Sequence, residues 1–255
     1  MEVATLRRGG PASYAQSVGE AVRARSRTFW MVAGLTALAA LLRFATLGVQ
    51  SYHHDEIVTA SRVLRDGFGH AMDAVGFSES APPLYYALAW IWTQVTGTGE
   101  FGLRSLSAVA GVATVPVVYL IGLELGGRRA GLMAAALVAV NPMLLWYSQE
   151  ARAYALLALL CAVSLLYCVR ALRHGRRRDF TVWGIVSGLA LATHYFAIFP
   201  ILAEVGLLLR RRGRASLAGL WIVAAAAALL APLAIHQMAI GHAEWIGNFS
   251  LGHGL

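Results

Sequence analysis

Three short polar segments interrupt an otherwise apolar chain: Tyr52-His53-His54-Asp55-Glu56, Ser148-Gln149-Glu150-Ala151-Arg152-Ala153-Tyr154 and Thr193-His194-Tyr195. A carboxylate on a short tether, as at Asp55 or Glu56, can take a proton from an attacking hydroxyl. Adjacent His54 and Asp55 could hold a divalent cation. A cation or a basic side chain could then neutralise a departing phosphate, and Arg152 and His194 could do so without a metal. Each segment also has a plain structural reading. Two acids at a helix start cap it and suit its dipole. Glu150 and Arg152 could form a surface ion pair, which is worth little. His194 could be a lone polar turn residue. No strong Cys/His metal spacing is present. A phosphate-cradling glycine loop and a serine-nucleophile elbow are also lacking, which argues against cytosolic nucleotide use.

The elements that must carry these residues are read from composition. Of 255 residues, 58% are hydrophobic and only 13% charged, against about 25% charged in a soluble domain. Mean hydropathy is +0.61, so most of the surface is expected to meet lipid. The net charge of +8 would suggest nucleic acid in a soluble protein. Here the basic residues are all Arg, clustered in short runs between apolar stretches, and such runs set membrane topology. Cys161 and Cys168 share one apolar stretch and are expected to be free thiols within the membrane. The first apolar run, Phe29–Val49, is too long for a secretory signal and has no small-residue cleavage site after it.

The further apolar stretches are Pro82–Thr96, Leu106–Leu123, Ala130–Tyr147, Ala153–Val169, Phe180–Leu209 and Leu217–Ile235. With the N-terminal tail, Arg128-Arg129, Arg170 to Arg178 and Arg210 to Arg214 all placed inside, parity requires an odd number of crossings between Val49 and Arg128, and two stretches compete for one. Leu106–Leu123 is the better span, and Pro82–Thr96, with Tyr85, Tyr86, Trp90 and Trp92, suits an interfacial helix. Phe180–Leu209 has Arg runs at both ends and reads as a tight helix pair turning near His194. The expected fold is an all-α polytopic membrane protein of about seven transmembrane helices, with interfacial helices in the first outer loop. The expected divisions are a cytoplasmic tail (1–28), a transmembrane core (29–236) with an outer loop at 50–100, and an outer segment (237–255). This topology places sixteen Arg inside and puts Arg62, Arg65, Arg104 and Arg152 outside with eight acids, Asp66 and Glu244 among them. Arg43, within the first helix, is expected to snorkel to the interface. Glu204 is the carboxylate deepest in a span, and a helix-pair contact accounts for it. Asn248-Phe249-Ser250 matches a glycosylation acceptor, a common tripeptide.

The ordered set of an acidic pair after helix one, Ala81-Pro82-Pro83-Leu84-Tyr85-Tyr86, Leu103-Arg104-Ser105-Leu106-Ser107-Ala108, Val115-Pro116-Val117-Val118-Tyr119-Leu120, Gly127-Arg128-Arg129-Ala130-Gly131 and Trp146 to Tyr154 resembles the GT-C superfamily of membrane glycosyltransferases. The closest branch contains the protein O-mannosyltransferases and the lipid-A aminoarabinose transferases. The resemblance covers about Leu41 to Pro200. It implies a polyprenyl-phosphate-linked sugar as donor, transfer at the non-cytoplasmic face, and Asp55 as catalytic base with Glu56 beside it. It further implies donor or phosphate contacts at Glu150, Arg152, Tyr154, His194, Tyr195 and Arg104. Two departures stand out. Ala81 occupies a position that is basic in some relatives, and the acid nearest Tyr154 is Glu150.

The expected function is therefore sugar transfer to an acceptor hydroxyl by a multi-pass protein of the bacterial plasma membrane, its N-terminus cytoplasmic. The partners are the bilayer and the lipid-linked sugar, not nucleic acid. The sequence demands no cofactor, and a divalent cation at His54 and Asp55 is left as an alternative. Relatives of this kind usually continue for several more helices, so a missing C-terminal part or a partner subunit is also expected. The rival reading is a non-catalytic carrier of lipid-linked sugars, or an inactive scaffold of a longer transferase.

Overall fold

The computed structural model describes residues 11–60, 64 and 67–240. Arg62, Arg65, Asp66, Glu244, Asn248 and residues 241–255 of the expected outer segment lie outside the described residues, as do residues 1–10 of the tail. Every regular element among the described residues is helical: α1 (Pro11–Phe44), α2 (His54–Val58), α3 (Phe68–Ser78), α4 (Leu84–Thr96), α5 (Glu100–Val140), α6 (Pro142–Ser148), α7 (Tyr154–His174), α8 (Arg177–Thr193), α9 (Ile198–Arg212) and α10 (Leu217–Ala239). Single 3-10 turns, Tyr195–Ala197 and Gly213–Ser216, lead into α9 and α10. Among the described residues, four helical stretches are long and apolar enough to cross a membrane: Ser26–Phe44, Glu100–Val140, Tyr154–His174 and Tyr195–Ala239. The chain is thus an all-α membrane protein. Large apolar side chains such as Leu137 (68%), Trp221 (73%) and Leu229 (82%) remain exposed, a surface that lipid, not water, can cover.

Local sequence explains the breaks. A straight helix of 41 residues would be about 60 Å long, twice the hydrocarbon thickness. α5 avoids this by reversing at Gly127, whose φ of 80° costs glycine little and other residues more. The two arms then pack so closely that a Cβ on Gly122 would stand 2.6 Å from the Gly131 Cα. The second arm ends at Asn141, whose Oδ1 accepts from Leu144 N at 3.0 Å, with Pro142 opening α6, a favoured arrangement at a helix start. α7 stops at Gly175, in the left-handed conformation with φ 64°, as a helix C-terminus favours. The stretch 180–209 forms the expected helix pair, α8 and α9, turning at His194 and Tyr195–Ala197.

α5 packs against α1 and α7, α8 against α7 and α10, and α9 against α7. Small residues line the α1/α5 contact, where Ala39, Val115, Ala135 and Ala139 are buried. α7 to α10 close around Phe180, Trp183, Ile201 and Leu208. Within that layer Glu204 Oε2 accepts from Ser164 Oγ (2.5 Å) and Trp183 Nε1 (2.7 Å), the helix contact anticipated for it.

Arg43 departs from expectation. It does not snorkel. Its side chain is fully buried, with Nη1 donating to the Ala39 and Ala139 carbonyls, Nη2 to the Val138 carbonyl and Nε to Ser148 Oγ. Val138 and Ala139 belong to the last turn of α5, whose carbonyls lack helical partners and carry the negative end of the dipole. The guanidinium finds there what the interface would otherwise have supplied. A second difference is the start of α1, at Pro11, well before the apolar run begins.

The charges sort to opposite ends. At one end Glu124 holds Arg170 (3.1 Å) and Arg173 (3.8 Å), and Arg212 donates to the Leu172 carbonyl. The polar segments singled out in the sequence gather at the other.

Candidate functional site at the end opposite the arginine runs

The site is built on one ion pair. Arg104, in the second turn of α5, donates from Nε to Glu56 Oε1 (2.8 Å) and from Nη2 to Glu56 Oε2 (2.6 Å). Its remaining N–H groups reach the carbonyls of Leu47 (3.1 Å), Gln50 (2.7 Å) and Ser51 (3.1 Å). A guanidinium has five N–H donors, so Arg104 is fully committed and offers none to a phosphate. Its place is to hold the segment after α1. Glu56 is as fully engaged. Oε1 also accepts from Ala151 N (2.7 Å), and Oε2 from His53 N (2.9 Å), closing the first turn of α2. Burial pushes the Glu56 carboxyl up, but Arg104 and the two backbone N–H groups hold it below its ordinary value. Glu56 is a fixed anion, with no lone pair left to serve as a base.

Asp55 has the other environment. One residue earlier on α2 its side chain points about 100° away and is exposed. The Glu56 bond to Ala151 N therefore brings an open carboxylate up to the α6/α7 junction, where Glu150, Arg152 and Tyr154 lie.

Arg152 is the centre of that junction. Its nearest acid is Glu79 in the loop after α3, with Nη1 to Oε2 at 3.4 Å, and the alternative surface pair with Glu150 is not formed. Burial works against the Arg152 charge, yet Tyr86, Glu79, Asp55 and Tyr154 together hold its pKa above the ordinary value. Glu79 is itself buried. Its Oε2 accepts from Tyr86 Oη (2.6 Å), while Oε1 has no hydrogen-bond partner among the described residues. Glu150 is half-buried, and burial, with Glu56 nearby, raises its carboxyl.

His194 closes the site from the α8/α9 turn. Its ring lies 5.5 Å from that of Tyr154 and 4.8 Å from Phe196. Nδ1 accepts from Phe196 N at 3.1 Å, which leaves the proton of the neutral ring on Nε2. Burial and the Arg152 charge lower its pKa, so at neutral pH His194 is a hydrogen-bond donor rather than a cation. Tyr195 is turned to another task. Its Oη donates to Gln237 Oε1 (2.7 Å), and Gln237 Nε2 donates to the carbonyls of Val75 and Ala81, both at 3.1 Å. This latch ties the end of α10 to the Pro82-Pro83 loop.

Asp55, Glu150, Arg152, Tyr154 and His194 thus come together, while Glu56, Arg104 and Tyr195 hold the frame. His54 is exposed beside Asp55, and the described residues contain no group of three or more His, Cys, Asp or Glu side chains that could hold a metal. Sequence reasoning missed Glu79, Tyr86 and Gln237 as parts of the site. The signal for Glu79 was its place two residues before Ala81-Pro82-Pro83, and for Gln237 its polarity at the close of an apolar run.

The structure is thus an all-helical membrane protein with carboxylates, an arginine and a histidine grouped at one end of its bundle. The chain belongs to the dolichyl-phosphate-mannose-protein mannosyltransferase family, whose model matches residues 80–237, and so is a membrane glycosyltransferase of the GT-C type. The match takes in Arg104, Glu150, Arg152, Tyr154, His194 and Tyr195 and begins after Asp55 and Glu56. No curated protein matches the chain.

Proposed function

We propose that this chain moves a sugar, with mannose the first choice given its family, from a polyprenyl-phosphate donor to an acceptor hydroxyl at the non-cytoplasmic membrane face. In this reading α1, the two arms of α5, α7, α8, α9 and α10 are the seven spans of a core covering residues 29–236. The Arg runs face the cytoplasm, as does the N-terminal tail. The site, at the opposite end, then opens to the outside.

The chemistry follows from which groups are free. Asp55 takes the proton of the acceptor hydroxyl. The oxygen forms a bond to the anomeric carbon as the bond from that carbon to the phosphate oxygen breaks. Arg152 and the Nε2–H of His194 meet the departing phosphate. Glu56 and Arg104 keep α2 in place, and Glu150, its carboxyl raised by burial, stands two residues from Arg152 at the same junction. An apolar groove of about 250 Å3 beside Tyr195, lined by Leu191, Ile198, Leu230 and Ala234 among others, suits a lipid tail. The observation that carries the reading is the contrast between the adjacent acids. Glu56 is saturated with donors, and Asp55 is left open beside Arg152.

The test is transfer by the full chain in liposomes, offered polyprenyl-phosphate mannose, polyprenyl-phosphate aminoarabinose or nucleotide mannose. Transfer from a lipid-linked donor, lost in Asp55→Asn, is expected. Use of the nucleotide sugar, or full activity in Asp55→Asn, would overturn it.

A further inference from the structure

At the Arg-bearing end, the termini of the first arm of α5, α7 and α9 enclose a groove of about 410 Å3 lined by Leu125, Val169, Leu172, Leu207, Arg173, Arg211 and Arg212. The two kinds of lining residue ask for different things. Leu125 (61%) and Leu207 (47%) are exposed at its mouth, a poor surface to leave to water. Of the arginines, Arg212 is tied to the Leu172 carbonyl, and Arg173 reaches Glu124 only at 3.8 Å with about half its side chain exposed. Arg211 is exposed and makes no ion pair among the described residues. A second crevice at the same end is lined by Arg177 and Arg214, but its other walls are Gly175, Phe180, Ala215 and Ala218. It has two arginines, as many as the first groove has besides the tied Arg212, and no leucine or valine wall.

We infer that the first groove binds one anionic phospholipid, its phosphate held by Arg173 and Arg211 and its acyl chains lying on Leu125, Val169, Leu172 and Leu207. The occupant is an amphiphile because guanidinium groups and an aliphatic wall share a single groove at the edge of an apolar bundle. Basic pockets between membrane helices take anionic headgroups in this way. The site stands apart from the transfer chemistry and does not depend on it.

The test is native mass spectrometry of the full chain released from micelles, titrated with phosphatidylglycerol or phosphatidylcholine of equal chain length. One phosphatidylglycerol should be retained in preference to phosphatidylcholine. The double variant Arg173→Gln/Arg211→Gln, both positions exposed, should weaken retention roughly 30-fold, as two lost headgroup contacts imply. The control Arg177→Gln/Arg214→Gln should leave it unchanged. Excess glycerophosphate should compete weakly, since it lacks the chains. Equal retention of phosphatidylcholine, an equal loss in the control, no loss in the double variant, or full competition by glycerophosphate would each overturn the proposal.

Discussion

Glu56 and Arg104 form a buried bidentate ion pair, at 2.6 and 2.8 Å, in which every guanidinium N–H is used and each carboxylate oxygen accepts twice. The pair joins the segment after α1, the start of α5 and the α6/α7 junction at one point. It fixes α2 so that the charge of the neighbouring Asp55 acts on Arg152.

Removing half of this pair leaves a buried charge unmet. Glu56→Gln is expected to cost about 3–5 kcal/mol, read as a lowered unfolding temperature in detergent, with activity lost in parallel. The pH dependence follows from the lowered carboxyl. The unfolded chain takes up this proton first, so the Glu56 contribution is fully present above the ordinary value of 4.5 and is lost as pH falls through the depressed one. Unfolding between pH 3 and 8 should show that loss in the wild type and not in Glu56→Gln.

Asp55 should behave in the opposite way. As an exposed residue, its change to Asn should alter stability by no more than about 0.5 kcal/mol. As the proposed base, it should lose about 100- to 10,000-fold in rate. Thermal unfolding and transfer assays on the same preparation separate the two effects, and a destabilised, equally active Asp55→Asn protein would contradict the assignment.

His194 is expected to work as a neutral donor. Its lowered pKa means that the folded chain resists a proton the unfolded chain accepts. Stability from this group is complete above the ordinary 6.5 and declines as pH falls through the depressed value. Comparing unfolding of the wild type and His194→Gln between pH 5 and 8 isolates this slope. If His194 meets the phosphate, His194→Gln should keep part of the activity and His194→Ala very little.

The hairpin within α5 depends on contact between two glycines. Gly122→Val would drive side-chain atoms into the backbone around Gly131, at a cost of about 1–3 kcal/mol or more. Reduced yield and a lower unfolding temperature are the expected readouts, whereas Gly76→Ala, at a glycine with open space around it, should be close to neutral.

Composition and the spacing of Arg runs were enough to read a helical membrane protein, the helix pair turning at His194, and the gathering of three polar segments at one end. These are legible because hydropathy and charge asymmetry are local and additive along the chain. The resemblance of the Pro82-Pro83 and Glu150–Tyr154 segments also pointed to the family that the match over residues 80–237 bears out.

The partner each site group meets was not legible, because it depends on contacts made across the fold. Asp55 and Glu56 are chemically alike as adjacent acids; the resemblance implies Asp55 as the base, but the physical contrast between them comes from Arg104, 48 residues away, and the Ala151 amide. A pair between Arg152 and Glu150 was one plain reading of the sequence, and Arg152 instead faces Glu79. Arg43 looked able to reach the interface, and the open carbonyls at the end of α5 hold it inside. A buried charge goes wherever its desolvation is met by donors or acceptors. The sequence by itself determined the elements and the end of the bundle at which the polar groups collect. Tertiary structure alone decided which of those groups are spent on holding the fold and which remain open for chemistry.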